Sequence, residues 1–148
     1  MIRILQPWFE NITKRQVKSP KIYCRDSGIL NALLEIKSKA TLTINPRLEA
    51  LWEGYALEEI IKFLAIRPEE TFFWATQAHA ELDLFMIKDG KRLGFEFKYA
   101  DAPQVTKSMH SALADLKLDQ LFIIYPGDRH FPLSDKITVS GLQAFIAR

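Results

Sequence analysis

Asp83, Glu96 and Lys98 lie in one stretch, ELDLFMIKDGKRLGFEFKYA, from Glu81 to Ala100. Two carboxylates and a lysine brought into contact can bind a divalent cation and activate a water molecule. The stretch reads as two strands joined by a tight turn at Asp89-Gly90. Alternate residues of a strand share a face. In the second strand Leu93, Phe95, Phe97 and Tyr99 point one way, and Gly94, Glu96, Lys98 and Ala100 the other. In the first, Leu82, Leu84 and Met86 share a face opposite Glu81, Asp83, Phe85 and Ile87. A hairpin pairing brings Asp83 beside Glu96 and Lys98. The competing reading is the solvated face of an antiparallel sheet, where charged residues on strands most often sit.

The elements around this hairpin supply a further acid. Asn45-Pro46 opens a helix that runs to about Ile66, with Asn as N-cap and Pro at the first helical position. Leu57, Ile60 and Leu64 share a stripe with Glu53, whereas Glu58, Glu59 and Lys62 fall on the other side and read as solvated. A lone carboxylate in an apolar stripe needs a partner, which a metal site or Lys98 would provide. A strand from about Phe72 to Gln77 precedes Asp83, and APQVTKSMHSALADLKL follows Lys98 as a helix. DQLFIIYPGD is then a buried strand, followed by a loop from Pro126 to Ser134, a short strand KITVS and a turn of helix LQAFIA. Upstream, Lys18-Ser19-Pro20-Lys21 marks a break between an N-terminal arm, residues 1–20, and a domain over 21–148. KIYC adds an edge strand, and DSGILNALLEI a short helix capped by Asp26 or Ser27, with Ile29, Leu30, Leu33 and Leu34 inward.

The chain has 148 residues, 48% hydrophobic and 26% charged, which suits one globular core. No apolar run approaches a membrane span, and MIRILQPWFENITKRQ lacks the apolar core of a signal peptide, so a cytoplasmic location is expected. Cys24, the single cysteine, has no disulfide or zinc partner among cysteines and reads as structural. His79, His110 and His130 lack metal-ligand spacing. Lys107, Ser108 and Ser111 share a polar helix face that reads as solvated. No GxxxxGK[ST] occurs, so the chain has no ATP site of that kind. The net charge is only +2, but Lys14, Arg15, Lys18, Lys21 and Arg25 form a basic run with no acid before Asp26. Such a run can neutralise nucleic-acid phosphates, dock an acidic protein, or simply be solvated.

The order acidic helix, strand, Asp-bearing strand, Glu-x-Lys strand, helix, strand resembles the PD-(D/E)XK nuclease superfamily. That resemblance implies a restriction-endonuclease-like α/β fold, with a central mixed sheet of four or five strands flanked by helices. It implies that Glu53, Asp83, Glu96 and Lys98 form the site, that Asp83, Glu96 and the Phe97 carbonyl hold Mg²⁺ or Mn²⁺, and that DNA is the substrate. The residue before Asp83 is Leu82, where the superfamily loosely keeps proline. A closer resemblance spans NITKRQVKSPKIYCRDSGILNALL, LWEGYALEEII, FFWATQAHAELDLFM, GFEFKYADAPQVTKSM and ALADLKLDQLFIIYPG. These segments are similar to a domain of unknown function found at the C-terminal end of predicted prokaryotic AAA+ ATPases. The resemblance implies an ATPase partner, in cis or in trans. The expected function is therefore metal-dependent cleavage of DNA, and the alternative is a non-catalytic module that binds DNA or protein.

Overall fold

The structure, a computed structural model, describes residues 1–147. Its elements in chain order are β1 (Ile2–Pro7), β2 (Lys21–Cys24), α1 (Ser27–Leu33), α2 (Lys39–Thr43), α3 (Leu48–Phe63), β3 (Thr71–Ala75), β4 (Glu81–Lys88), β5 (Lys91–Phe97), α4 (Lys107–Asp115), β6 (Gln120–Tyr125), β7 (His130–Pro132), β8 (Ile137–Gly141) and α5 (Leu142–Ile146). The described strands form one mixed sheet of eight, in the order β2-β1-β3-β4-β5-β6-β8-β7. The sequence reading gives four or five strands. The surplus lies at the flanks: β2 is the KIYC edge strand, while β1 falls in the segment read as an arm and β7 has only three residues. A three-residue strand carries too few alternations to stand out in a sequence.

Residues 1–20, read as an arm, contribute to this sheet. In β1 the alternation is strict: Arg3, Leu5 and Pro7 are buried, and Ile2, Ile4 and Gln6 are exposed. β1 pairs parallel to β3 and antiparallel to β2. Beyond it, the Val17 amide donates to the Ala75 carbonyl, and Gln16 bridges Thr76.

Helices cover both faces. On one face α3 and α5 place Leu57, Ile60, Ile61 and Phe145 against Leu84, Met86, Phe95 and Phe97. On the other, Met109 and Ala112 of α4 and its C-cap Leu116 pack on Trp74, Leu82, Phe85 and Leu121. Helix α3 starts later than Asn45-Pro46 suggests. Arg47 is its N-cap, and the Asn45 Oδ1 accepts from the Arg47 amide in a preceding turn. Asp26 caps α1 by accepting from the Ile29 amide, as expected. The inward face expected of α1 is only half realised: Leu30 and Leu34 are half-buried, whereas Ile29 and Leu33 are exposed, the latter 75%.

The β4–β5 hairpin turns on Asp89 and Gly90, whose φ values are 51° and 74°. Two left-handed residues in a two-residue loop match the right-handed twist of the strands. Pairing then runs from Lys88↔Lys91 to Leu84↔Phe95. On the other side of β4, the register with β3 shifts between Phe72 and Trp74, so Asp83 and Leu84 together oppose Phe73. This is a β-bulge, which re-aims side chains. It breaks the face expected to unite Leu82, Leu84 and Met86. Leu82 joins the core under α4, while Leu84 and Met86 join the core under α3.

Candidate active site

The bulge places Asp83 at a fork. Beyond Leu84↔Phe95 the Phe97 amide donates to Asp83 Oδ2 at 2.9 Å, a side-chain bond where a ladder bond would otherwise run. β5 meanwhile continues its pairing with β6, through the Lys98 amide to the Ile124 carbonyl at 3.0 Å. Ser108 of α4 fixes the start of β4 from the other face. Its hydroxyl accepts from the Glu81 amide and donates to the Glu81 carbonyl, both at 2.7 Å. The polar face of α4 that reads as solvated thus includes an anchor for the acid-bearing strand. The sequence held no signal for this bond, because Ser108 and Glu81 belong to different elements.

Asp83 and Glu96 are both buried, and they stand close enough to repel each other. The Asp83 carboxyl is held well above the usual range, first by burial and then by the charges of Glu96 and Glu53; Lys21 and the Phe97 amide oppose the rise. Burial also raises Glu96, against the pull of Lys98. The Lys98 ammonium lies 2.9 Å from Glu96 Oε1, with 40% of its side chain exposed. Burial disfavours its charge, but Glu96 more than compensates and its pKa rises. The other oxygen, Glu96 Oε2, is buried and has no hydrogen-bond partner among the described residues. An orphaned buried carboxylate oxygen is costly, and a cation would satisfy it.

Glu53 projects from α3 toward the same fork but binds different partners. Its Oε1 accepts from the Tyr23 hydroxyl and lies 3.4 Å from the Lys21 ammonium. Lys21 also contacts Glu81 and lies 3.7 Å from Asp83 Oδ1. Burial lowers the Lys21 pKa, but Asp83, Glu53 and Glu81 together raise it above that of an ordinary lysine. Burial and the Glu53 charge likewise push the Tyr23 hydroxyl up. The sequence assigns no site role to Glu81 or Tyr23, and it reads Lys21 only as part of the basic run. Tyr23 and Lys21 both lie on β2, which pairs with β1 far from β4 in sequence, so only the folded sheet brings them to Glu53.

Glu58, expected to be solvated, is only 2% exposed. It pairs with the Arg3 guanidinium through both oxygens, and with Arg25 Nε at 3.4 Å. Burial of Glu58 follows from β1 lying in the sheet, which carries Arg3 beneath α3. Glu59 is half-buried and bonds Lys62 at 2.9 Å. The basic run does not form one surface. Lys21 and Arg25 turn to acids within the fold, and Lys14 pairs with Asp115, leaving Arg15 and Lys18 exposed beside it. His130 bonds Ser140 at 2.9 Å, far from the fork in sequence and on the opposite sheet edge. Cys24 is half-buried, and its thiol donates to the Asp26 carbonyl at 3.3 Å.

Among the described residues, no three His, Cys, Asp or Glu side chains are disposed to hold a metal ion together. At the fork the Lys21 ammonium lies within ion-pair reach of Glu53, Glu81 and Asp83. Asp83 and Glu96, with the orphaned Oε2, remain a fitting pair of hard oxygen donors.

Residues 48–145, most of this architecture from α3 to α5, match the family described as a domain of unknown function, DUF4143. The chain belongs to that family. Residues 1–40 match a second domain of unknown function, DUF8612. The chain is similar to uncharacterized proteins of Mycobacterium tuberculosis and Mycobacterium bovis, each 49% identical over 137 residues. The matched region is 93% of this chain but 31% of each relative, so the chain spans about a third of the length of those relatives. No solved structure matches. Among the described residues, no helix is long and apolar enough to cross a membrane.

Proposed function

We propose that this DUF4143 domain is a metal-dependent nuclease-like module acting on DNA, working alongside an AAA+ ATPase in cis or in trans. The observation that carries the reading is the fork: Asp83, Glu96 and Lys98 converge there, and a buried Glu96 oxygen lacks a partner. Asp83 and Glu96 would hold a Mg²⁺ or Mn²⁺ ion, with the Phe97 carbonyl as a further ligand. Such an ion supplies Lewis acidity and lowers the pKa of a bound water. Lys98 keeps one face toward solvent while Glu96 holds its ammonium in place. That position suits stabilising charge that develops on a phosphate. Glu53 lies at the rim, where Tyr23 and Lys21 orient it.

The test is a nicking assay on supercoiled plasmid and single-stranded DNA with Mg²⁺, Mn²⁺ or EDTA. Cleavage is expected with metal and not with EDTA, and Glu96→Gln should abolish it. Wild-type protein that cuts neither substrate with either metal overturns the reading.

A second reading has its own support. A cavity of about 780 Å³ lies between β2, α1, α2 and α3, lined by Leu30, Leu34, Leu42, Leu51 and Trp52. Trp52 Nε1 is buried there without a hydrogen-bond partner among the described residues. With Ile29 and Leu33 exposed nearby, this face suits a docked protein segment, as in a non-catalytic accessory module of a longer ATPase chain.

A further inference from the structure

We infer that Lys21 is the resident cation of the fork, and that a divalent ion binds Asp83 only by displacing the Lys21 ammonium. The inference rests on the metal-dependent reading above and concerns what governs access to that site. Lys21 opens β2, paired with Leu5 across β1. From this edge its side chain reaches carboxylates on two other elements: Glu53 of α3, and Glu81 and Asp83 of β4. The Phe73 ring, 5.4 Å from the ammonium, closes one side of its niche.

Charge balance argues for the exchange. Among the described residues, Glu53, Glu81, Asp83 and Glu96 pair with two cations, Lys21 and Lys98, so the ionised cluster carries an excess of two negative charges. One divalent ion would neutralise it. An ammonium and a divalent ion cannot share Asp83 without repelling each other at short range. Asp83 is the partner Lys21 can release most readily, since 3.7 Å is its longest contact of the three. The four-carbon lysine stem is flexible, and Lys21 is 26% exposed, so its ammonium has a path outward with Glu81, which lies at the solvent side of the cluster. The closed lysine state then lowers apparent metal affinity by the fraction of molecules it occupies. Without Lys21, the carboxylates should take up metal more tightly.

The experiment is a Mn²⁺ titration, followed by calorimetry and by the bound-Mn²⁺ paramagnetic signal, on wild type, Lys21→Met, Lys21→Gln, Lys21→Arg and Asp83→Asn. Lys21→Met and Lys21→Gln should bind Mn²⁺ roughly tenfold tighter than wild type, the scale set by one partly buried ion pair. Lys21→Arg, which keeps the charge, should stay near the wild-type value, and Asp83→Asn should lose binding. Binding seen in the neutral variants but not in wild type also supports the inference, in its strongest form. If wild type binds through Asp83 and the folded neutral variants bind no tighter, Lys21 does not compete and only this inference fails. If no protein binds Mn²⁺, the metal-dependent reading fails and takes the inference with it.

Discussion

Asp83 and Glu96 are buried acids whose charged forms the fold disfavours, and this has a sign that can be measured. Burial raises both above their unfolded values, aided by Glu96 and Glu53 at Asp83 and by Glu81 and Glu53 at Glu96; the unfolded values lie near about 3.9 for Asp and 4.3 for Glu. The metal-free folded state therefore holds protons that the unfolded chain has lost. The stability these two groups contribute is fully present below about pH 4 and is lost as pH rises through their raised folded values. In EDTA, Asp83→Asn and Glu96→Gln should each melt higher than wild type at pH 8, with the gap closing toward pH 4. Millimolar Mg²⁺ should erase or reverse the gap at pH 8, because the ion binds only the ionised folded state. Melting curves at several pH values check this. A gap that fails to grow with pH would show that the two carboxyls are not strained by ionisation. Much of this residue-level picture is legible in sequence, because strand alternation and the Asp-Gly turn place Asp83 opposite Glu96. The roles of Lys21, Glu81 and Tyr23 are not, since their contacts span 30 to 62 positions and leave no local pattern.

At the element scale, long strands and well-spaced apolar helices could be read directly, and the failures fall where an element is short or a partner distant. β4 and β6 lie close to where their patterns place them, whereas β5 ends at Phe97, just before Lys98, and α4 covers only Lys107–Asp115 of the 102–118 stretch that reads as helix. The bulge at Asp83-Leu84 was invisible, since both registers satisfy the same residues locally and only β3 decides between them. Glu58 was misplaced because its stripe looks polar until Arg3 arrives beneath it from β1. That pairing makes a sharp prediction about the first twenty residues. Glu58→Ala leaves the buried Arg3 guanidinium unpaired and should cost about 3–5 kcal/mol. Arg25→Ala, removing only a half-exposed partner, should cost less than about 1 kcal/mol. Deleting residues 1–20 removes β1 with Leu5 and Arg3 and should leave no cooperative transition. Urea denaturation followed by tryptophan fluorescence reads all three. A truncated chain that unfolds cooperatively at a wild-type midpoint would mean that β1 is dispensable and the first twenty residues are an arm after all.

For the whole molecule, the question is whether the fork or the surface carries the phenotype. Lys98 and the basic residues make opposite predictions, because they act on different states. In the proposed reading Lys98 acts on charge that develops during reaction, and such groups lower the barrier without tightening ground-state binding. Lys98→Ala should therefore abolish cleavage and leave DNA affinity nearly unchanged. Lys14, Arg15 and Lys18 are exposed, and Lys14 pairs with Asp115 rather than with an acid of the fork, so phosphate contacts are their expected contribution. Reversing their charge should weaken DNA binding uniformly across sequences, each lost contact reducing the slope of log K against log salt by about 0.9. Lys21 and Arg25 belong to the same run in sequence but are held by Asp83 and Glu58, so they should be excluded from that test: changing them would perturb the site and the core. If the domain is instead a docking module, Lys98→Ala should change neither activity nor binding, and polar substitution of Leu33 and Ile29 on α1 should weaken association with the ATPase partner while the melting temperature holds. Paired cleavage and fluorescence-anisotropy measurements on the same preparations separate the two outcomes. The balance favours the fork, because burying two carboxylates beside each other, with one oxygen unpartnered, costs stability that a purely structural hairpin has no reason to spend.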